Sequence, residues 1–188
     1  MIQILTYSNF MKKTIFICAL ITLSLSTFAQ NKVKEITQAE QFSSQAGTLM
    51  ERQFYDMGKV KTLEVKVLKF KDLSSGSTKS LLRFEYAFKS SYSSDTKIAA
   101  LDVDEIDGLI KSIKNLQSNV FISTKEVYTE VTFTSRTGFE AGAYFSTDKS
   151  KWTAYVQVEK NDRNSMIFLT PEDFGSLLSL IEQAKAKM

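Results

Sequence analysis

Two stretches in constant register with each other constrain this chain more than anything else in it: "ALDVDEIDGLIKSI" at 100–113 and "FLTPEDFGSLLSLI" at 168–181. Leu101 aligns with Leu169, Leu109 with Leu177 and Ile113 with Ile181. Asp102 aligns with Thr170, and Glu105 with Asp173. In both, an N-cap residue precedes an acid three positions on, the spacing at which side chains satisfy the orphan N–H groups of a helix start. Pro171 falls at the first helical position, where its missing donor costs nothing. Acids in that turn also face the positive end of the helix dipole. Apolar residues then recur at helical steps: Ile106, Leu109, Ile110, Ile113 and Leu116 in one copy, Phe174, Leu177, Leu178, Ile181 and Ala184 in the other. Each is a single stripe, suited to a helix lying on a sheet.

The acids of 102–107 also invite a calcium-loop reading. An EF-hand places oxygen ligands at its first, third and fifth positions, a glycine at the sixth and a glutamate at the twelfth. Counted from Asp102, the fifth residue is Ile106, the sixth Asp107 and the twelfth Ile113. The register fails, and the stretch reads as a helix start.

Upstream of each helix the apolar residues alternate as in strands. In the second copy Val127, Thr129, Val131 and Phe133 share a face, and "SRTG" turns the chain. Phe139, Ala141, Ala143 and Phe145 run back, "STDK" turns again, and Trp152, Ala154, Val156 and Val158 follow. After "KNDRNS" comes a short last strand at 166–168. The first copy places strands at about 48–55, 60–71, 80–89 and 97–101, joined by "DMGK", "LSSGSTK" and "SSYSSDT". Its second strand changes phase, with Leu63, Val65 and Val67 on one parity and Leu68 and Phe70 on the other; a β-bulge near Val67-Leu68 would keep all five on the core side. Ile36, Ala39 and Phe42 in the polar lead-in suggest a further short helix. The expectation is one α+β domain at 30–188, made of two tandem ββββα units (46–118 and 124–187) that form an antiparallel sheet with both helices packed on one face.

With one face covered, the other is open. Tyr128, Tyr144 and Tyr155 have the opposite parity from the expected core residues of their strands and fall among Glu130, Glu140, Gln157 and Glu159. Tyrosine joins apolar area to a polar tip and is enriched at binding surfaces; it is also an ordinary strand residue. These three form the candidate binding face.

Residues 1–29 read as lying outside the fold. Met11-Lys12-Lys13 begins a basic head, 14–25 is apolar, and Thr27-Phe28-Ala29 makes a small-residue exit, the order of a secretory signal peptide. Residues 1–10 carry no charge, so Met11 is the better start for the signal. The apolar run is short for a transmembrane helix. Bulky Phe16-Ile17 before Cys18 do not suit lipoprotein processing. Cleavage near Ala29 leaves 30–188 as a periplasmic or secreted chain with no integral membrane segment, no cysteine and no histidine. A core of that size can stand without disulfides. With Lys12 and Lys13 gone, 22 basic side chains face 21 acidic ones, a net charge of +1. No basic patch interleaved with aromatics appears, so nucleic acid is not the expected partner.

Without histidine or cysteine, the commonest general base, the usual zinc and copper ligands and the Ser–His and Cys–His nucleophile pairs are missing from the mature chain. No glycine loop for phosphate, dinucleotide fingerprint or nucleophile elbow occurs. Carboxylate-only catalysis survives this test by residue type. The acids of 102–105, however, belong to a helix start, and "SSYSSD" at 90–95 reads as a solvated loop. No catalytic, cofactor-binding or metal residue is assigned, and the chain is read as a non-enzyme.

The signal ending "TFAQ", "LDVDEIDGLIKSI", "SRTGFEAGAYFS" and "LTPEDFGSLL" together resemble small secreted proteins of Bacteroidetes that carry no assigned function. That resemblance implies export and a compact domain, and transfers no active residue. Paired sheet-and-helix units are also similar in architecture to the TATA-binding-protein-like and β-lactamase-inhibitor-like folds, both of which grip with a sheet face; the near-neutral charge disfavours the DNA-gripping version. The expected function is non-catalytic binding of a protein or extended ligand on the open face. The alternatives are an extracytoplasmic carboxylate-dependent glycan hydrolase and a purely structural envelope protein.

Overall fold

Each unit of the chain ends on a helix that begins where its last strand stops. The computed structural model describes residues 35–91 and 94–188; the signal segment and N-terminal extension expected at 1–29 lie outside the described residues. A short helix α1 (Gln38–Ser43) leads into strands β1 (Met50–Val60), β2 (Leu63–Asp72), β3 (Thr78–Lys89) and β4 (Ser94–Asp102) and then helix α2 (Val103–Asn115). The second unit holds β5 (Thr129–Thr134), β6 (Glu140–Ser146), β7 (Lys151–Gln157), β8 (Met166–Leu169) and helix α3 (Pro171–Lys187). This is the α+β arrangement of two tandem ββββα units.

Both long helices start on the expected residues. At α3, Thr170 Oγ1 accepts the Asp173 N–H at 3.2 Å, and the Asp173 carboxylate accepts the Thr170 N–H at 2.8 Å. At α2, the Glu105 carboxylate accepts the Asp102 N–H at 3.1 Å. A side-chain cap such as that of Thr170 contributes about 1 kcal/mol. The second helix then widens into one π-helical turn, Leu116–Val120.

The strands pair in chain order into two antiparallel four-stranded sheets, β1–β4 and β5–β8, so the expected layer is divided in two. The division follows from long-range contacts: the outer edge of β4 is met by turns of the second unit. Thr137 donates its hydroxyl to the Ala100 carbonyl at 2.6 Å, and Lys97 Nζ lies 2.9 Å from Asp162. Helix α2 rests on β3 and β4 and touches β6; α3 rests on β1, β2 and β3, and the two helices touch each other. Their stripes (Ile106, Leu109, Ile113; Phe174, Leu177, Ile181) join Val65, Leu82 and Phe84 of the first sheet and Ala141, Ala143 and Val156 of the second in one buried cluster. Both helices thus lie on one face of the first sheet. Phe84 stacks on Phe139 at 4.3 Å between ring centres, tying the two sheets together.

Two local expectations need correcting. The bulge near Val67-Leu68 does not form: β2 pairs without interruption from Leu63 to Lys71 against β3. Leu68 and Phe70 instead point to the opposite face, where with Leu81 and Ala100 they form a second buried cluster under Ala39 and Phe42 of α1. The phase change marks a strand buried on both faces. The "DMGK" turn is displaced as well. The first strand runs through it with a bulge between Asp56 and Gly58, whose φ of +139° glycine alone adopts freely, and the hairpin closes at Lys61-Thr62, with Lys61 at φ +51°.

Because α1 is held to the first sheet by the second cluster, Leu68→Ala should loosen that helix selectively. Amide exchange is expected to rise within 38–43 while amides of α2 and α3 keep their protection; uniform loss across the domain would show that the second cluster supports the whole fold.

Candidate functional site

The outer face of the second sheet is built by strict alternation. Glu130 of β5 sits opposite Tyr144 of β6, which sits opposite Thr153 of β7; Thr132, Gly142, Tyr155 and Phe168 form the next row across all four strands. Alternate residues of the same strands, Ala141, Ala143, Ala154 and Val156, point into the core. The helices pack on that inner side, so among the described residues the outer side holds tyrosines, glutamates and threonines without a helix above it.

All three sequence-assigned tyrosines fall on this face, and they form a row. Tyr128 and Tyr144 ring centres lie 6.2 Å apart, and those of Tyr144 and Tyr155 lie 6.4 Å apart. Their accessibility differs sharply. Tyr128, just ahead of β5, is 59% exposed; Tyr144 is half-buried; Tyr155 is 6% exposed. An open position was expected for Tyr155, and the cause of its burial is Gly142. That glycine stands between Tyr155 and Thr132 in the register, and a Cβ there would lie 2.4 Å from the Val131 carbonyl oxygen. The strand therefore presents bare backbone at this point, and Tyr155 lies across it to meet Thr132 Oγ1 at 2.9 Å. Burial pushes the Tyr155 phenol above its ordinary pKa, partly offset by the Thr132 bond. Tyr155 is a structural piece of the sheet, and Tyr128 and Tyr144 are its accessible neighbours.

Tyr128 donates its hydroxyl to the Glu130 carboxylate. That bond requires the phenol proton and pushes the Tyr128 pKa up to about 12. Phe168, 52% exposed, extends the face on β8. The Glu140 side chain is mostly covered and lies 3.7 Å from Lys160 Nζ.

The acids of the α2 start make a second cluster that composition alone could not resolve. Carboxylate oxygens of Asp102, Asp104 and Glu105 lie within 4.8 Å of one another. Arg136, from the β5–β6 turn, supplies the opposing charge: Nη1 lies 2.7 Å from Asp102 and 3.5 Å from Glu105, and Nη2 lies 2.8 Å from Asp104. Its backbone N–H donates to Glu105 at 2.6 Å. The hydrogen bond to Asp104 and the charges of Glu105 and its neighbours raise the guanidinium pKa. Asp102 also accepts the Gln38 and Ala39 N–H groups at 2.7 and 3.1 Å, at the start of α1. This is an internal ion-pair junction, and its carboxylates are spent on protein partners. In the sequence, 136 reads as part of a plain turn, because an arginine's partners in a distant segment leave no periodic signal.

A cleft of about 480 Å³ opens near the other end of the second sheet, with Phe121, Phe145 and Trp152 among its walls. The Trp152 indole donates to the Ser123 carbonyl at 2.7 Å, and its ring meets Phe145 edge-on at 5.5 Å. Among the described residues of its walls, Lys151 is the one that carries a charge.

No helix among the described residues is long and apolar enough to cross a membrane. Arg136→Ala should lower the urea midpoint of unfolding, since it strands the largely covered carboxylates of Asp102 and Glu105; Arg136→Lys should recover less than half of that shift, because an ammonium cannot reproduce the forked geometry. A spectrophotometric titration should show one tyrosine ionising last, near pH 12, and Glu130→Gln should bring it back toward the ordinary value near 10. Since the folded phenol holds its proton more tightly than the unfolded one, the associated stability is complete below pH 10 and fades between 10 and about 12. Comparison of the chain with known protein families, with curated proteins and with solved structures found no match.

Proposed function

We propose that the protein is an exported, non-catalytic binding protein that holds a protein or another extended ligand on the outer face of β5–β8. Export rests on the signal-like order of residues 11–29, with cleavage near Ala29. The observation that carries the binding reading is a sheet face that no helix among the described residues covers, with Tyr128 and Tyr144 side by side at its β5 end. Rings with polar tips, flanked by Glu130 and Phe168, make a broad surface of the composition that protein contacts favour. The face is a sheet and no deep cavity, which suits an extended partner better than a small substrate.

Binding is favoured over turnover by what the residues are doing. The chain has no histidine. The carboxylates grouped at the α2 start are neutralised by Arg136 and engaged at two helix starts. They are therefore not the free acid–base pair that glycan hydrolysis requires.

Affinity capture from the native envelope, quantified by mass spectrometry, tests the reading. The double variant Tyr128→Ser/Tyr144→Ser should lose about 90% or more of a reproducible partner while still unfolding cooperatively, with a melting point lowered only modestly by loss of the Tyr128–Glu130 bond. Tyr155→Phe, which spares the face, should retain it. Equal capture by the wild type and the double variant, or no reproducible partner at all, would sink the proposal.

A further inference from the structure

Four strand edges end the two sheets, and three of them carry a device that prevents another strand from pairing there. The first strand is kinked by its bulge at Gly58. The edge of β4 has its Ala100 carbonyl taken by Thr137 and its Lys97 drawn to Asp162. The last strand is very short, and its Phe168 carbonyl accepts Lys61 Nζ at 2.8 Å. The edge of β5 has none of these. "TEVTFT" contains no proline, glycine or lysine, pairs with β6 without a break, and among the described residues its backbone makes no hydrogen bond beyond that ladder. None of its residues is buried; half-buried and exposed positions alternate along it.

We infer that β5 pairs antiparallel with β5 of a second copy of this chain, joining two second sheets into one eight-stranded layer. Opposite residues of an antiparallel pair point to the same side, so the two-fold axis must be normal to the sheet and must pass between the two copies of one residue. Centred on Thr132, it sets Val131 against Phe133 of the second copy twice on the inner side. On the outer side it sets Thr132 against Thr132 and Glu130 against Thr134. Aromatic against β-branched and threonine against threonine are favourable cross-strand pairs, and no like charges meet. Centring on Val131 instead gives one valine pair and leaves both phenylalanines opposite threonine. The Thr132-centred dimer also brings two tyrosine rows onto one continuous face. The inference stands on the edge geometry and does not depend on that face binding anything.

Edges this short bury little area, so the dimer is weak, and sedimentation from about 5 to 500 µM is the range in which it shows. The wild type is expected to move from monomer to dimer across that range. Thr134→Glu places a carboxylate opposite Glu130 of the second copy at two symmetric positions and should weaken association about tenfold or more. Adding Glu130→Lys turns each repulsion into an attraction and should restore it; a circular-dichroism melt of each variant confirms that the monomer folds. A wild type that stays monomeric throughout, a dimer indifferent to Thr134→Glu, or a loss that Glu130→Lys does not reverse would each overturn the proposal. Loss of partner capture in the tyrosine double variant with the dimer intact would separate this inference from the binding reading.

Discussion

Asp102 is where the two units and the lead-in helix are held to one another. Its backbone ends β4 and caps α2 through Glu105, while its carboxylate accepts two N–H groups at the start of α1 and the guanidinium of Arg136 from the second unit. A carboxylate this well covered needs donors for its lone pairs, and here the donors come from separate elements. Asp102 is therefore a shared contact of α1, the strand-to-helix corner and the β5–β6 turn. The aromatic stack of Phe84 on Phe139 lies in the core these elements enclose. Polar satisfaction at one corner and ring packing inside it specify the same geometry.

The helix starts were legible in the sequence because capping is local. A cap residue, an acid three positions on and a stripe at helical spacing require nothing from the rest of the chain, and α2 and α3 begin on the expected residues. The strand pattern was legible for the same reason. Its failures are all non-local. Leu68 and Phe70 carried a real signal, a change of phase, but whether it meant a bulge or a second buried face depended on α1, which lies upstream of the whole first sheet. The glycine of "DMGK" could serve a turn or a bulge equally well, and the pairing partner decided it. Division into two sheets turned on what meets the edge of β4, and no alternation pattern records that.

Arg136 shows the same limit for a site. The cluster at 102–105 begins a helix on the expected residues, yet its charge partner lay in an ordinary turn of the second unit. The guanidinium ties Asp102, Asp104 and Glu105 to the β5–β6 turn. The candidate binding face passes in the reverse direction: parity put three tyrosines on one face, and the fold sorts them.

That sorting follows from one glycine. The second sheet brings β5 so close to β6 at Gly142 that no Cβ fits, and the exposed backbone is sealed by Tyr155 reaching across to Thr132. Aromatic cover of a strand glycine is a means of pinning register and curvature together. The β7 side of the face is consequently fixed and largely filled, whereas Tyr128 and Glu130 on the β5 side stand free of the sheet interior. The accessible tyrosine area therefore lies toward β5, with Phe168 exposed at the opposite edge on β8. The same strand has the only sheet edge among the described ones that lacks a bulge, a capped carbonyl or a shortened ladder. Under the proposed binding role, a surface rigid on one side and available for pairing on the other has its extent set by what adds to its edge.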